Sequence, residues 1–172
     1  GAVQISGQYA GIFSCAGDVL IHSGMHDISA DVYGILITSG SIYAKGGSLQ
    51  IRTANSEETS AGIHLGSGDL IVSGTHLNIS GGMHGVIGEQ STVSVTNSGL
   101  DAEGDIYGIA VKRLSFFGGN LTAYGTKAAL SLDDGTTLDD KDTIVTCGKS
   151  MGSAEPGPYT DQKYVHLYPK HF

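Results

Sequence analysis

A glycine followed by a branched aliphatic residue recurs along this chain, at Gly11-Ile12, Gly34-Ile35, Gly62-Ile63, Gly85-Val86 and Gly108-Ile109, and in weakened form at Ala129-Leu130. Successive pairs stand 23, 28, 23, 23 and 21 residues apart. The long step contains the polar stretch NSEET at residues 55–59, and the short one lacks two residues after YGIAV at 107–111. Both irregularities fall where turns are expected. Self-similarity at a fixed period of this length marks a repeat architecture, in which each unit buries its apolar face against its neighbours.

With the two length changes allowed, apolar residues align in three pairs of columns. The first runs Ile12, Ile35, Ile63, Val86, Ile109 and Leu130, with Ser14, Ile37, Leu65, Gly88, Val111 and Leu132 two residues later. The second runs Val19, Ile42, Leu70, Val93 and Leu114, with Ile21, Ala44, Val72, Val95 and Phe116. The third runs Val3, His26, Leu49, Leu77, Leu100 and Leu121, with Ile5, Ile28, Ile51, Ile79, Ala102 and Ala123. A spacing of two is the strand period and puts both side chains on one face. Three pairs per repeat therefore predict three short strands per coil. Segments rich in Gly, Ser and Asp separate them, such as AGD at 16–18, KGG at 45–47, GSGD at 66–69 and FGG at 117–119, and supply bends with positive φ.

Coils stacked at the ~4.8 Å strand separation turn each column into a ladder of like side chains. The chain is thus predicted to be all-β, a right-handed parallel β-helix with three faces, about 23 residues per coil and about six coils. A propeller blade of ~40 residues or a leucine-rich signature fits neither the period nor the pattern. The 27 glycines argue separately against a helical repeat, because Gly costs roughly 1 kcal/mol against Ala inside a helix.

Residues 1–172 read as a single domain, with regular coils over 1–132 and a degraded last coil and cap over 133–172. Val165 and Leu167 should face one way and Tyr164, His166 and Tyr168 the other, making KYVHLY a closing strand, reached through a loop at 148–162 that carries Pro156 and Pro158. Such a cap covers the backbone edge and apolar side chains of the last coil. Val3 and Ile5 fit the third column pair of a preceding coil, so the chain is expected to begin in mid-coil, as a piece of a larger protein or beside a separate cap.

A net charge of −8 opposes non-specific attraction to phosphate backbones and anionic lipid, and nucleic acid is not an expected partner. Apolar runs fall far short of the ~20 residues a membrane-spanning helix needs. The N-terminus lacks the charged and apolar regions of a secretory signal, and Gly1 is compatible with processing.

The glycine-rich phrases YGI, GGSLQI, SGDLIVSG and GGNLTAYG, together with the terminal KYVHLYP, resemble the β-helical repeat regions of secreted or surface-attached proteins of Gram-positive gut bacteria. The resemblance runs from Val3 through the closing strand. It implies a pectin-lyase-like fold, a location outside the cell or on its surface, and a carbohydrate-binding or adhesin-like role.

Enzymes of polysaccharide breakdown share this architecture, but architecture alone is not function. The arginines that lyase chemistry would use as base, Arg52 and Arg113, align on different faces. The outward column Asp27, Gln50, Asn78, Asp101 and Thr122 offers carboxylates only at Asp27 and Asp101, three coils apart. That is ~14 Å, beyond the ~9.5 Å limit of an inverting pair. No catalytic residue and no cofactor is expected. The acidic run Asp133, Asp134, Asp139, Asp140 and Asp142 is a weak calcium candidate, since its spacing matches no known loop and a solvated turn accounts for it.

The seven histidines scatter over the columns, and His84 shares one with Tyr33 and Tyr107. His26, in a column of aliphatic residues, should be buried, neutral and hydrogen-bonded, or its coil distorted. Cys15 and Cys147 stand five coils apart, ~24 Å, against the ~7 Å between Cα atoms that a disulfide allows. They should remain thiols.

Phe13 and Leu36 on one face, and Leu20, Tyr43 and Ile71 on another, should point outward yet are apolar, whereas later equivalents are Ser94 and Ser115. Either the C-terminal segment or a loop covers them, or a partner chain or ligand does. Tyr43 beside Lys45 and His22, with Leu20, Leu36 and Ile71, forms the candidate binding surface. These observations point first to a non-catalytic structural or adhesion module of a larger extracellular bacterial protein. A carbohydrate-binding module is the alternative and a polysaccharide lyase or hydrolase the third reading. The partner would be a polysaccharide, a surface glycan or a protein.

Overall fold

The computed structural model describes residues 1–55, 59–134, 136–138, 143–156 and 159–170. A lone strand β1 (Ala2–Gly7) precedes the first coil, β2 (Ala10–Ser14), β3 (Val19–His22) and β4 (Met25–Ala30). The second coil is β5 (Tyr33–Ile37), β6 (Ile42–Lys45) and β7 (Ser48–Thr53), and the third is β8 (Ala61–Leu65), β9 (Leu70–Ser73) and β10 (His76–Ser80). In the fourth and fifth coils the strand pairing runs on through the corners, as β11 (His84–Gly104) and β12 (Tyr107–Gly125), with positive φ at Asn97, Gly118 and Gly119. A sixth coil begins with β13 (Ala128–Leu132) and β14 (Thr136–Leu138), and β15 (Thr143–Gly148), β16 (Glu155–Pro156) and β17 (Tyr164–Pro169) follow.

Parallel pairing between successive coils generates three sheets. On the first, Ile12 pairs with Ile35, Ile35 with Ile63, Ile63 with Val86, Val86 with Ile109 and Ile109 with Leu130. On the second, Val19, Ile42, Leu70, Val93 and Leu114 pair in turn. On the third, Val3, His26, Leu49, Leu77, Leu100 and Leu121 do so. The predicted columns are thus the observed register, in a parallel β-helix of about six coils. Ile35, Ile63, Leu70, Leu77 and Leu121 are fully buried in one core cluster that runs the length of the stack.

Two kinds of glycine shape each coil. Gly40 adopts φ +125° at the corner between the first and second sheets, a conformation that L side chains resist. The glycines of the recurring Gly-Ile pair have a different cause. A Cβ on Gly34 would overlap Cγ2 of Ile51, on the third sheet of the same coil, and stand 2.6 Å from the carbonyl oxygen of Gly62. The repeat is spelled with glycine there because two sheets meet too closely for any side chain. Polar side chains tie the corners of successive coils together: the Ser41 amide donates to Asp18 Oδ1 at 2.8 Å, the Asp69 amide to Ser41 Oγ at 3.0 Å, and the Thr92 amide to Asp69 Oδ1 at 2.7 Å.

At the C-terminal end the third sheet is completed by a reversed strand. β17 runs antiparallel to the end of β12, with Leu167 opposite Leu121 and Val165 opposite Ala123; β15 then pairs with β17, and β16 with β15. Val165 and Leu167 are fully buried, and KYVHLY is the closing strand.

The first coil departs from expectation. Val3 is 46 % exposed, and His26 beside it is half-buried rather than buried. His26 Nε2 nevertheless donates a hydrogen bond to the His22 carbonyl at 2.9 Å. The C-terminal segment does not cover the outward apolar residues of the early coils, since β17 sits on the third sheet beyond β12. Phe13 stays 57 % and Leu20 61 % exposed. Cys15 is exposed and Cys147 buried, and no disulfide joins them.

Candidate functional site

The outside of the first sheet carries a ladder of rings, one contribution from each coil. The column that opens each first-sheet strand reads Ala10, Tyr33, Ala61, His84, Tyr107 and Ala128. In the coils where this column holds Ala, the neighbouring side chains Tyr9, His64 and Lys127 take part instead. Tyr9 meets Tyr33 edge to face at 5.3 Å, and Tyr33 meets His64 likewise at 5.3 Å. His84 stacks on Tyr107 at 5.7 Å, with the planes 13° apart. Lys127 Nζ lies 5.2 Å from the centre of the Tyr107 ring. The Tyr33 hydroxyl donates to Thr59 Oγ1 at 3.0 Å, so the insertion between the second and third coils anchors the ladder.

Beside the ladder runs a groove of three merging concavities. The first, about 310 Å³, lies among Thr59, His64, Ile87, Glu89 and Gln90. The second, about 230 Å³, shares Ile87 and Glu89 with it and adds His84, Tyr107, Ala110 and Asp133. The third, about 440 Å³, shares Tyr107 and Asp133 with the second and continues past Lys127 to Tyr159 and Asp161. The floor is the outward column Ile87, Ala110 and Ser131, whose side chains are small beyond Ile87.

A change in repeat length builds the opposite wall. Gly88 pairs with Val111, 23 residues on, whereas Thr92 pairs with Arg113, 21 residues on. The fourth coil keeps the regular 23-residue step, so its corner stands beyond that of the shortened fifth, with Glu89 and Gln90 exposed.

The electrostatics of the two walls differ. Burial pushes the His64 imidazole below its ordinary pKa, against the opposing pull of the Glu89 carboxylate. His84 is pushed down by burial first and by His64 second. The Nδ1 atoms of both are buried without a hydrogen-bond partner among the described residues. Across the groove, Asp134 faces Lys112 at 3.7 Å and Arg113 at 3.4 Å, while Glu89 and Asp133 form no ion pair among the described residues. The groove therefore offers aromatic rings on one side and carboxylate acceptors on the other, suited to a ligand with hydroxyl or ammonium donors.

A separate cleft of about 400 Å³ lies on the outside of the third sheet, where Ser150 and Met151 approach Asp101, Glu103, Tyr124 and Tyr164. Burial, and then Asp101, raise the Tyr164 phenol. His166 is lowered by burial, which Asp101 opposes.

Five of the six residues of the surface expected from sequence do come together. Leu20, Tyr43 and Ile71 form one outward column of the second sheet, and His22 pairs with Lys45 in the next. Lys45 Nζ lies 5.6 Å from the Tyr43 ring centre. Leu36 is elsewhere, on the first sheet between Phe13 and His64. These six residues line none of the concavities described above. The ladder was announced in the sequence only by His84 sharing a column with Tyr33 and Tyr107.

The register keeps Asp27 and Asp101 three coils apart, and Arg52 Nη2 is held by Asp27 at 2.7 Å. Of the calcium candidates, Asp133 and Asp134 line the groove, while Asp139, Asp140 and Asp142 lie outside the described residues. Among the described residues no three His, Cys, Asp or Glu side chains cluster to hold a metal ion. No helix is long and apolar enough to cross a membrane.

No protein-family model, curated protein or solved structure matches this chain.

Proposed function

We propose that the chain is a non-catalytic β-solenoid module of an extracellular or surface protein, structural and adhesive in role, which holds a carbohydrate chain along its first sheet. The observation that carries this reading is the continuous groove from His64 to Tyr159, walled by the ring ladder and running along the stacking axis. Extended polymers suit such a site, because successive coils present a new ring or acceptor every ~4.8 Å. The stacked strands supply a wall that need not reorganise on binding, which limits the entropic cost of association. The resemblance to surface β-helical repeats supports the extracellular setting.

A glycan array with the purified protein tests the reading. Saturable binding should weaken about tenfold in Tyr107→Ala, the loss of roughly 1.4 kcal/mol expected for an aromatic contact. Tyr43→Ala should leave it unchanged. The reverse pattern would move the site to the second sheet, and silence across all glycans would leave the structural role alone. Release of new chain ends from any bound polysaccharide would overturn the non-catalytic reading.

A further inference from the structure

We infer that His64 and His84 form an acid-responsive latch: on mild acidification both imidazoles take up a proton, leave Tyr33 and Tyr107, and turn into the groove towards Glu89 and Asp133. The groove then loses its ring wall while the stack stays folded. The effect on binding rests on the carbohydrate reading above; the movement of the rings does not.

The two histidines come from consecutive coils, on the paired strands β8 and β11, where His84 stands opposite Ala61 and His64 opposite Ile87. His64 packs edge-on against Tyr33, and His84 stacks on Tyr107. The Nδ1 atom of each is buried with no partner among the described residues. A neutral imidazole can leave that nitrogen bare as an acceptor, but an imidazolium donates from both ring nitrogens. Protonation in place would bury a donor with nothing to receive it, and would do so at two neighbouring sites.

The surrounding charges decide where the protonated rings go. His64 faces Tyr33 of β5 and, from β11, His84 and Glu89. His84 faces His64 of β8, Tyr107 of β12 and, across its concavity, Glu89 and Asp133. A tyrosine ring attracts a cation, but Lys127 already lies 5.2 Å from the centre of Tyr107 and opposes a second one there. Glu89 lines the concavity of His64, and both carboxylates line that of His84, so each ring has an acceptor within the space it opens onto. Burial holds both imidazoles below their ordinary value while they are packed, whereas beside a carboxylate in the open groove they would titrate at or above it. The packed state therefore prevails above about 6.5 and yields as pH falls from there towards the packed values.

Proton NMR titration of the imidazoles, read beside near-UV circular dichroism from pH about 7.5 to about 5, tests the latch. The chain has no Trp, so tyrosine dominates that optical signal. Both rings should titrate together with a change in the tyrosine signal. Hydrogen exchange in β8 and the start of β11, corrected for its intrinsic pH dependence, should quicken about tenfold while β10 stays unchanged. Glu89→Gln combined with Asp133→Asn should move the change to lower pH, and His64→Gln combined with His84→Gln should abolish it. A tyrosine signal that stays constant while both rings titrate overturns the inference. So does a change that persists without the two histidines, or one that coincides with loss of the far-UV strand signal. If the histidine variant does not fold, titration and exchange in the unsubstituted protein still decide. Silence on the glycan array would remove the carbohydrate reading and leave these readouts, and the latch, in place.

Discussion

Ile51 fills the space into which any side chain on Gly34 would grow, its Cγ2 lying where the first carbon would stand. The backbone of Gly34 is not in the left-handed region, so its requirement is one of room and not of conformation. Gly34→Ala should therefore destabilise the fold by about 1–3 kcal/mol, as overpacked cores do. Urea unfolding measures it. A loss below about 0.5 kcal/mol would show that the third sheet yields to the extra carbon.

The middle and the first coil should respond differently to the same kind of truncation. Leu70 is fully buried, and Leu70→Ala should cost about 2–5 kcal/mol through lost transfer energy and a residual cavity. Val3 already meets solvent, and Val3→Ala should cost less than about 1 kcal/mol. Paired thermal and urea melts check the contrast.

Stability should fall on mild acidification. Burial lowers the folded pKa of His64, His84 and His166 below the ordinary 6.5, so the unfolded chain binds protons first as pH drops. Their contribution is complete above that value and declines as pH falls through it towards the folded values. Replacing all three with Asn should flatten the urea midpoint across this window. A midpoint that rises on acidification in the unsubstituted protein would contradict the assignment.

A thiol reagent should distinguish the cysteines. Cys15 is exposed and should be modified at once. Cys147 is 7 % exposed, and burial raises its thiol, so its labelling should follow unfolding. Mass spectrometry after a short pulse would show one adduct in buffer and two in denaturant.

Ile35, Leu70 and Leu121 could be placed from sequence alone because an inward position in a stacked coil admits only apolar residues, and the period of two fixes which positions are inward. The indels were legible too, since they interrupt an otherwise constant spacing. What Glu89 does at the shorter step was not. A missing pair of residues in the fifth coil leaves the regular corner of the fourth standing beyond it, but which way that corner projects is not written in the spacing. The ladder was hidden for another reason. Tyr9, His64 and Lys127 come from different positions of their repeats, and the contacts of Tyr9 and His64 with Tyr33, and of Lys127 with Tyr107, cross the columns. His26 is only half-buried, since column membership fixes which way a side chain points and not how deeply it is buried.

The two ends of the stack set the order in which it comes apart. β17 seals the last coil with Leu167 and Val165, whereas Val3, Ile5, Ile12 and Val19 at the other end are only partly withdrawn from water. Quasi-one-dimensional stacks lose their least protected unit first. Amide protons of β1, β2 and β3 should therefore exchange fastest, with protection climbing coil by coil towards β11. The molecule should melt as a zip opens, from a fixed end, leaving the groove intact until the early coils have gone.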